Sequence, residues 1–405
     1  MGISIKEMDR YKVHSFNGRK YWKMVQDCIL NNTKENDVIF DPFIGSGTTA
    51  IESLILKRKV IGIDINPLSL FLINSTLDNI NISDINKEFE NIQQIKSDIF
   101  ELYKSKTICS KCGINYIIYS YVFNKQTSYY CECCKKIIKL NKNPDFLIKT
   151  PIIKKWVPKD KMDFNLDTNV KYVVNLFSSR NLVALSIILD KINKIKNIKL
   201  NQFFKFCFSA NLSKSTKLNT LKNNGGWGKK YTNSFVVSVD YIDFNVWFGF
   251  VNKVISGINL KKEIYKFKLN NKNCILHLSN SEKINLDDDS IDFILTDPPY
   301  YTDISYKAAS KINLSWLNLS ECNGNSLEEF KNKSDFSKHL SDVIRECFRV
   351  LKKGKKLVYI LANVDVEYVN KIILLTKKVG FLFIDKCQSK TYEKLDYVYI
   401  IFKKE

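Results

Sequence analysis

Residues 37–40, DVIF, form a short apolar run that predicts a buried strand ending at Asp41. The stretch GSGTTAIESLILKRK follows, with Ile51, Leu54 and Leu56 at helical spacing behind a glycine-rich start. VIGIDINP reads as a second strand, closed by Asp64 and Pro67. A strand, a turn, a helix and a strand in that order open a parallel sheet. The pattern breaks over residues 101–150, which are rich in Lys, Tyr and Cys and lack helical periodicity. Residues 151–270 read as mainly helical, notably SRNLVALSIILDKINKI and FNVWFGFVNKVISGI, around the polar loop LKNNGGWGKKYTNS.

From about residue 273 the alternating pattern resumes. CILHL and DFILT read as strands, FSKHLSDVIRECFRVLKKG as a helix, KLVYILA as a strand and VEYVNKIILLTKKVG as a helix. FLFIDKC and DYVYIIF follow with no room for a helix between them, so they should pair antiparallel at the sheet edge. The sequence thus divides into an α/β unit in two parts, 1–100 and 271–405, interrupted by 101–150 and by a helical region at 151–270. No internal repeat or low-complexity tract is present.

The 405 residues include 63 Lys and Arg against 42 Asp and Glu, a formal charge of +21. A surplus of that size attracts polyanions, which puts nucleic acid first among partners. The opening stretch MGISIKEMDRYKVHSF has no apolar segment of the kind a signal peptide needs, and the apolar runs fall short of a membrane span. A cytoplasmic protein away from membranes is expected, with its eleven cysteines held as thiols or metal ligands.

Two turns carry the candidate chemistry. In DPFIGSGTT, residues 41–49, the glycines permit a tight turn and a close backbone approach, and the next helix offers its N–H groups to an anion. Gly45 and Asp64 lie 19 residues apart. At that distance an acid on the next strand can grip ribose hydroxyls, which favours a nucleoside-containing cofactor. No Gly-x-x-x-x-Gly-Lys run is present, which argues against a nucleotide triphosphatase. In TDPPYY, the paired prolines stop a strand at Thr296 and hold Asp297 and Tyr300 on a stiff turn.

The cysteines add a third signal. Cys109, Cys112, Cys131 and Cys134 stand as Cys-x₂-Cys, 18 residues, Cys-x₂-Cys, the spacing of two knuckles on one tetrahedral zinc. Four thiolates leave no open position, so the expected role is structural. Cys133 is an alternative ligand.

Together DPFIGSGTT, GIDINP and TDPPYY resemble the amino-group DNA methyltransferases, which methylate N6 of adenine or N4 of cytosine. The stretch HSFNGRKYWKMVQDCI before the first motif is similar to that family's cofactor-contacting lead-in. The middle of the chain resembles the subgroup that carries an inserted zinc ribbon. The resemblance implies a Rossmann-like S-adenosylmethionine-dependent methyltransferase sheet of seven strands, the last inserted antiparallel. It implies cofactor contacts from Asp41, Phe43, Gly45, Gly47, Thr48 and Asp64, with Asn280 where an acid is usual. It makes Asp297, Pro298, Pro299 and Tyr300 the catalytic turn, with the Asp297 carboxylate and the Pro298 carbonyl accepting the two N–H bonds of the target amine. It implies DNA as substrate and admits a restriction endonuclease as partner. Asp303 and Tyr306 are candidate substrate contacts; Trp227, Lys229 and Lys230 lie on a loop read first as a solvated basic surface, with DNA contact as the alternative. Aspartate in the first position of the tetrapeptide leans towards adenine. Cytosine N4, guanine N2 of RNA, and an inactive zinc-dependent DNA-binding subunit are the alternatives.

Overall fold

Seven strands form the central sheet: β1 (Val38–Asp41), β2 (Lys59–Asp64), β3 (Cys274–Leu278), β4 (Ile291–Thr296), β5 (Leu351–Ala362), β6 (Leu382–Ser389) and β7 (Tyr397–Lys403). This is a computed structural model, which describes residues 8–16, 18–121, 126–148, 151–162, 167–221, 227–229, 234–238, 241–269, 271–300, 306–319, 333–389 and 397–405. The strand order is β3-β2-β1-β4-β5-β7-β6. The pairs from β3 through to β5 are parallel, whereas β7 runs antiparallel to both β5 and β6. The two closing strands therefore pair antiparallel as expected, with β7 inserted one place inside the edge. The fold is the Rossmann-like sheet that the motifs implied.

Helices cover both faces. On one face α1 (Trp22–Asn32) lays Met24, Val25 and Ile29 against Ile39, Phe293, Leu295 and Val358. On the other, α10 (Lys333–Val350) and α11 (Val366–Val379) lay Leu340, Ile344 and Ile372 against Phe40, Ile294 and Leu357. Successive residues of β1 and β4 thus face opposite layers, which is why both read as continuous apolar runs. Burying each such side chain contributes about 1.5–3 kcal/mol.

A larger core lies beside the sheet. It joins α2 (Thr48–Ile55) and α3 (Pro67–Leu77) to α4 (Ile82–Gln93), α5 (Lys96–Leu102), α6 (Ser179–Asn193), α7 (Ile198–Leu212), α8 (Val246–Lys266) and α9 (Tyr306–Leu317) through residues such as Ile51, Leu72, Ile85, Ile99, Leu185, Phe204, Phe250 and Trp316. Asn66 caps α3 by accepting the Leu68 N–H, and Pro67 starts the helix.

Three expectations need correction. Residues 151–270 are α-helical only in α6, α7 and α8; among the described residues the remainder is loop, turn, 3₁₀ or short strand. Ile242–Phe244 pairs antiparallel with Tyr116–Tyr121, so the cysteine-rich ribbon draws its fourth strand from beyond residue 150. The run FSKHLSDVIRECFRVLKKG stops being helical at Val350, because Leu351 pairs with Ile291 and Gly354 takes φ +76°.

Candidate active site

The sheet's strand order reverses between β1 and β4. A cleft at the C-terminal ends of strands on either side of such a reversal is where α/β sheets bind ligands. One of about 190 Å³ opens there, lined by Phe43, Gly45, Ser46, Thr48, Asp64, Asn280, Asp297, Pro299 and Tyr300 among others. The glycine turn, the acid that ends β2 and the proline turn, each in a different part of the sequence, meet in it.

The strand ends are bonded to one another. Asp41 Oδ1 accepts the Phe43 N–H at 3.0 Å and the Thr296 hydroxyl at 2.7 Å, fixing the glycine turn to the strand that carries Asp297. Asp64 accepts the Gly45 N–H at 2.8 Å and the Asn66 N–H at 2.8 Å. Its carboxylate therefore shapes the turn as well as facing the cleft. Gly45 has φ +51°, a backbone setting that favours glycine.

Gly47 is placed differently from the other glycine. It is not among the residues lining the cleft; it sits at φ +80° ahead of α2, and a Cβ there would fall 2.3 Å from Ile73 Cγ1. Packing of the turn against α3 accounts for this glycine.

Burial sets the charges. Asp41, deep under the turn, is pushed up to about 7 by burial, although hydrogen bonds from Thr296, Thr49 and Phe43 pull the other way. Burial likewise raises Asp64 and Asp297 above the usual carboxylate range. For Asp41 the folded chain holds its proton more tightly than the unfolded chain does. Stability should therefore fall as pH rises from about 4 to about 7. Asp41→Asn removes that penalty. Thermal unfolding should find the variant level with wild type near pH 4 and more stable at pH 8, by on the order of 2 kcal/mol. An unchanged difference across that window would refute the assignment.

Asp297 is held on both carboxylate oxygens. Its Oδ2 pairs with the Lys20 ammonium, and its Oδ1 accepts the Tyr300 hydroxyl at 2.5 Å. Lys20 also donates to the Tyr300 oxygen at 3.1 Å, as does the Ala362 N–H at 3.2 Å. Tyr368 donates to the Pro299 carbonyl at 2.9 Å and meets the Tyr300 ring edge-on at 5.3 Å. Pro298 is buried and is not among the lining residues.

At the far end, Asn280 accepts the Glu282 N–H at 2.9 Å and donates to Glu282 Oε2 at 3.1 Å. Glu282 in turn is bonded to His339 Nδ1 at 2.6 Å, and His339 lines the cleft. Glu282 thus stands behind Asn280 and His339 and is not among the residues lining the cleft. Sequence reading passed over Lys20, Arg19, Glu282 and His339. Arg19 bonds the Ser46 hydroxyl at 3.3 Å and the carbonyls of Tyr11 and His14 at 2.8 and 2.7 Å, clamping the lead-in onto the glycine turn. Their only sequence signal was the cluster GRK within the lead-in; nothing local marked Glu282 or His339.

The cleft fits a nucleoside-bearing cofactor. Thr48 Oγ1 lines it, is buried and has no hydrogen-bond partner among the described residues, so it is available to a ligand. Away from the cleft, the sulfur atoms of Cys109, Cys112, Cys131 and Cys134 all lie within 4.8 Å of one another. Cys109–Cys134 is 3.6 Å and Cys112–Cys131 is 3.1 Å. Zinc–sulfur bonds of about 2.3 Å would space tetrahedral sulfurs about 3.8 Å apart, so the donor set suits that metal. Backbone N–H groups of Lys111 and Cys112 pull the Cys109 thiol down to about 6. Cys133 is exposed and outside the cluster.

Asp303 and Lys230 lie outside the described residues. Trp227–Lys229 forms a short strand paired with Asn219–Leu221, and Tyr306 begins α9.

Comparison with known proteins agrees with this geometry. The family model described as DNA methylase, N6_N4_Mtase, matches residues 3–74 and 291–395, the two parts that build the cleft. Those two parts are similar to this amino-group DNA methylase family. It is 56% identical over 41 residues to the type II methyltransferase M2.LlaDCHI of Lactococcus lactis subsp. cremoris, covering 10% of this chain and 15% of that one. It is 42% identical over 57 residues to the orphan methyltransferase M.BamHII of Bacillus amyloliquefaciens, 14% of this chain and 22% of the relative. A longer match, 22% identical over 368 residues, covers 89% of this chain and 64% of the type II methyltransferase M.MvaI of Kocuria varians. The chain thus spans less than a quarter of the first two relatives and under two thirds of the third. Among the described residues, no helix is long and apolar enough to cross a membrane.

Proposed function

We propose that this chain is an S-adenosylmethionine-dependent DNA methyltransferase acting on the exocyclic N6 of adenine. The observation that carries the reading is the meeting of Asp297 with the Gly45–Asp64 turn in one cleft. S-adenosylmethionine would supply an electrophilic methyl group on a sulfonium centre. Asp64 and Thr48 would hold its polar groups, and Asn280, Phe43 and His339 would form the end opposite Asp297.

An exocyclic amine is a poor nucleophile because its lone pair is delocalised into the ring. Asp297 and the Pro298 carbonyl, accepting its two N–H bonds, favour a pyramidal nitrogen and aim its lone pair. The proton shed by the methylated nitrogen has the Asp297 carboxylate as its nearest base, and passes from there to water. Tyr300 offers a ring on which a base drawn out of the duplex can stack. The +21 charge supports DNA as the polyanion and predicts steeply salt-dependent binding. The four-cysteine ribbon is read as a structural zinc site, and the region about residues 151–270 as the element that recognises the target. On this reading the chain works in the cytoplasm, with a restriction endonuclease as its proposed partner.

Adenine rests on the aspartate of the tetrapeptide; cytosine N4 has the same chemistry. Digestion of methylated duplex DNA to nucleosides, read by mass spectrometry, should show N6-methyladenine. N4-methylcytosine as sole product would overturn the base and leave the amine mechanism standing.

A further inference from the structure

Lys20 lies in the segment ahead of α1, remote in sequence from the proline turn, yet its side chain is 10% exposed and reaches the centre of the cleft. Its ammonium pairs with Asp297 Oδ2, donates to the Tyr300 oxygen at 3.1 Å and sits 5.6 Å from the centre of the Tyr300 ring. We propose that Lys20 is a positioning residue for methyl transfer, a built-in counter-ion that orients the Asp297 carboxylate towards the target amine. The inference rests on the reading of Asp297 given above.

Hydrogen-bond capacity explains how this works. A carboxylate has about four lone-pair sites on its two oxygens. Lys20 takes one on Oδ2 and the Tyr300 hydroxyl takes one on Oδ1, which stops the group from rotating and leaves acceptor capacity for an amine. The Ala362 N–H and Tyr368 hold the other side of the turn, so the arrangement is fixed from three separate elements. Charge follows the same geometry. The groups facing Asp297 are Lys20 from the lead-in, Tyr300 from its own turn and Asp41 from the end of β1, with Tyr368 of α11 behind Tyr300. Burial favours the protonated acid; Lys20 and the Tyr300 hydroxyl oppose it, and Lys20 is the cation of the two. A protonated Asp297 would present a donor to the amine where an acceptor is required.

The test compares wild type, Lys20→Met, Lys20→Arg and Asp297→Ala in kcat across pH, with saturating DNA and cofactor, and in cofactor affinity by calorimetry. Loss of a cation within hydrogen-bonding reach should move the acid limb of the Lys20→Met profile to higher pH by about one unit or more. Near the foot of the limb its kcat should be about tenfold lower, recovering as pH rises. Lys20→Arg should keep the wild-type limb, and cofactor affinity should stay within about threefold in both, since the contact is to Asp297. Should Lys20→Met not fold, Lys20→Gln carries the same expectation. An acid limb that stays in place in the neutral variant, or moves equally in Lys20→Arg, overturns the inference while Asp297→Ala remains inactive. Full turnover in Asp297→Ala would instead overturn the reading of Asp297 itself.

Discussion

Purified Asp297→Ala protein is expected to transfer methyl groups at least about 100-fold more slowly than wild type while binding the cofactor nearly as well. Removing one preorganised group that acts on developing charge costs on the order of 10²–10³ in rate. The carboxylate is held by Lys20 and Tyr300 and, on the proposed reading, would meet the amine on its other side, whereas Asp64 and the glycine turn would face the cofactor. Rate and affinity should therefore separate. Calorimetry and single-turnover kinetics on the same preparation check both halves. A parallel loss of cofactor binding would place Asp297 among the cofactor contacts and remove its catalytic role.

Metal is expected to dominate the stability of the ribbon. In the strands Tyr116–Tyr121, Gln126–Cys131 and Lys136–Leu140, Ile117 and Tyr129 are buried while Ile137 and Ile138 are exposed. A four-thiolate zinc site contributes an apparent ~10–16 kcal/mol at neutral pH in small zinc-dependent units, enough to decide whether such a unit folds. One zinc per chain is predicted by elemental analysis of unchelated protein. Cys109→Ser should release it, lower the first thermal transition and weaken DNA binding more than cofactor binding. The ribbon's contact with Ile242–Phe244 would carry the damage towards α8, which begins two residues later. Protein that is fully folded and free of zinc would refute the site.

Local patterns reached as far as local physics did. The turns at 41–49 and 297–300 were legible because glycine and proline restrict the backbone wherever they occur, and the cysteine spacing because metal geometry restricts it equally. The antiparallel closing strands followed from the absence of a crossover between them. Lys20 was not legible: a lysine in a basic segment has no signal of its own, and its role depends on a partner 277 residues away in sequence, as 297 − 20 shows. Glu282 and His339 were hidden for the same reason, their pairing joining the end of β3 to α10. Ile242–Phe244 is too short to show a strand period, and only the free edge of the ribbon recruits it.

The central claim is that the cleft between the glycine turn and the Asp-Pro-Pro-Tyr turn is a methyl-transfer site for DNA. Incubating the purified chain with S-adenosylmethionine labelled in its methyl group, in parallel with unmethylated duplex DNA and with RNA, tests it most directly. The account predicts label in DNA, lost at high salt and absent with Asp297→Ala. Label in RNA alone, or none in either polymer from folded protein that binds the cofactor, would contradict it.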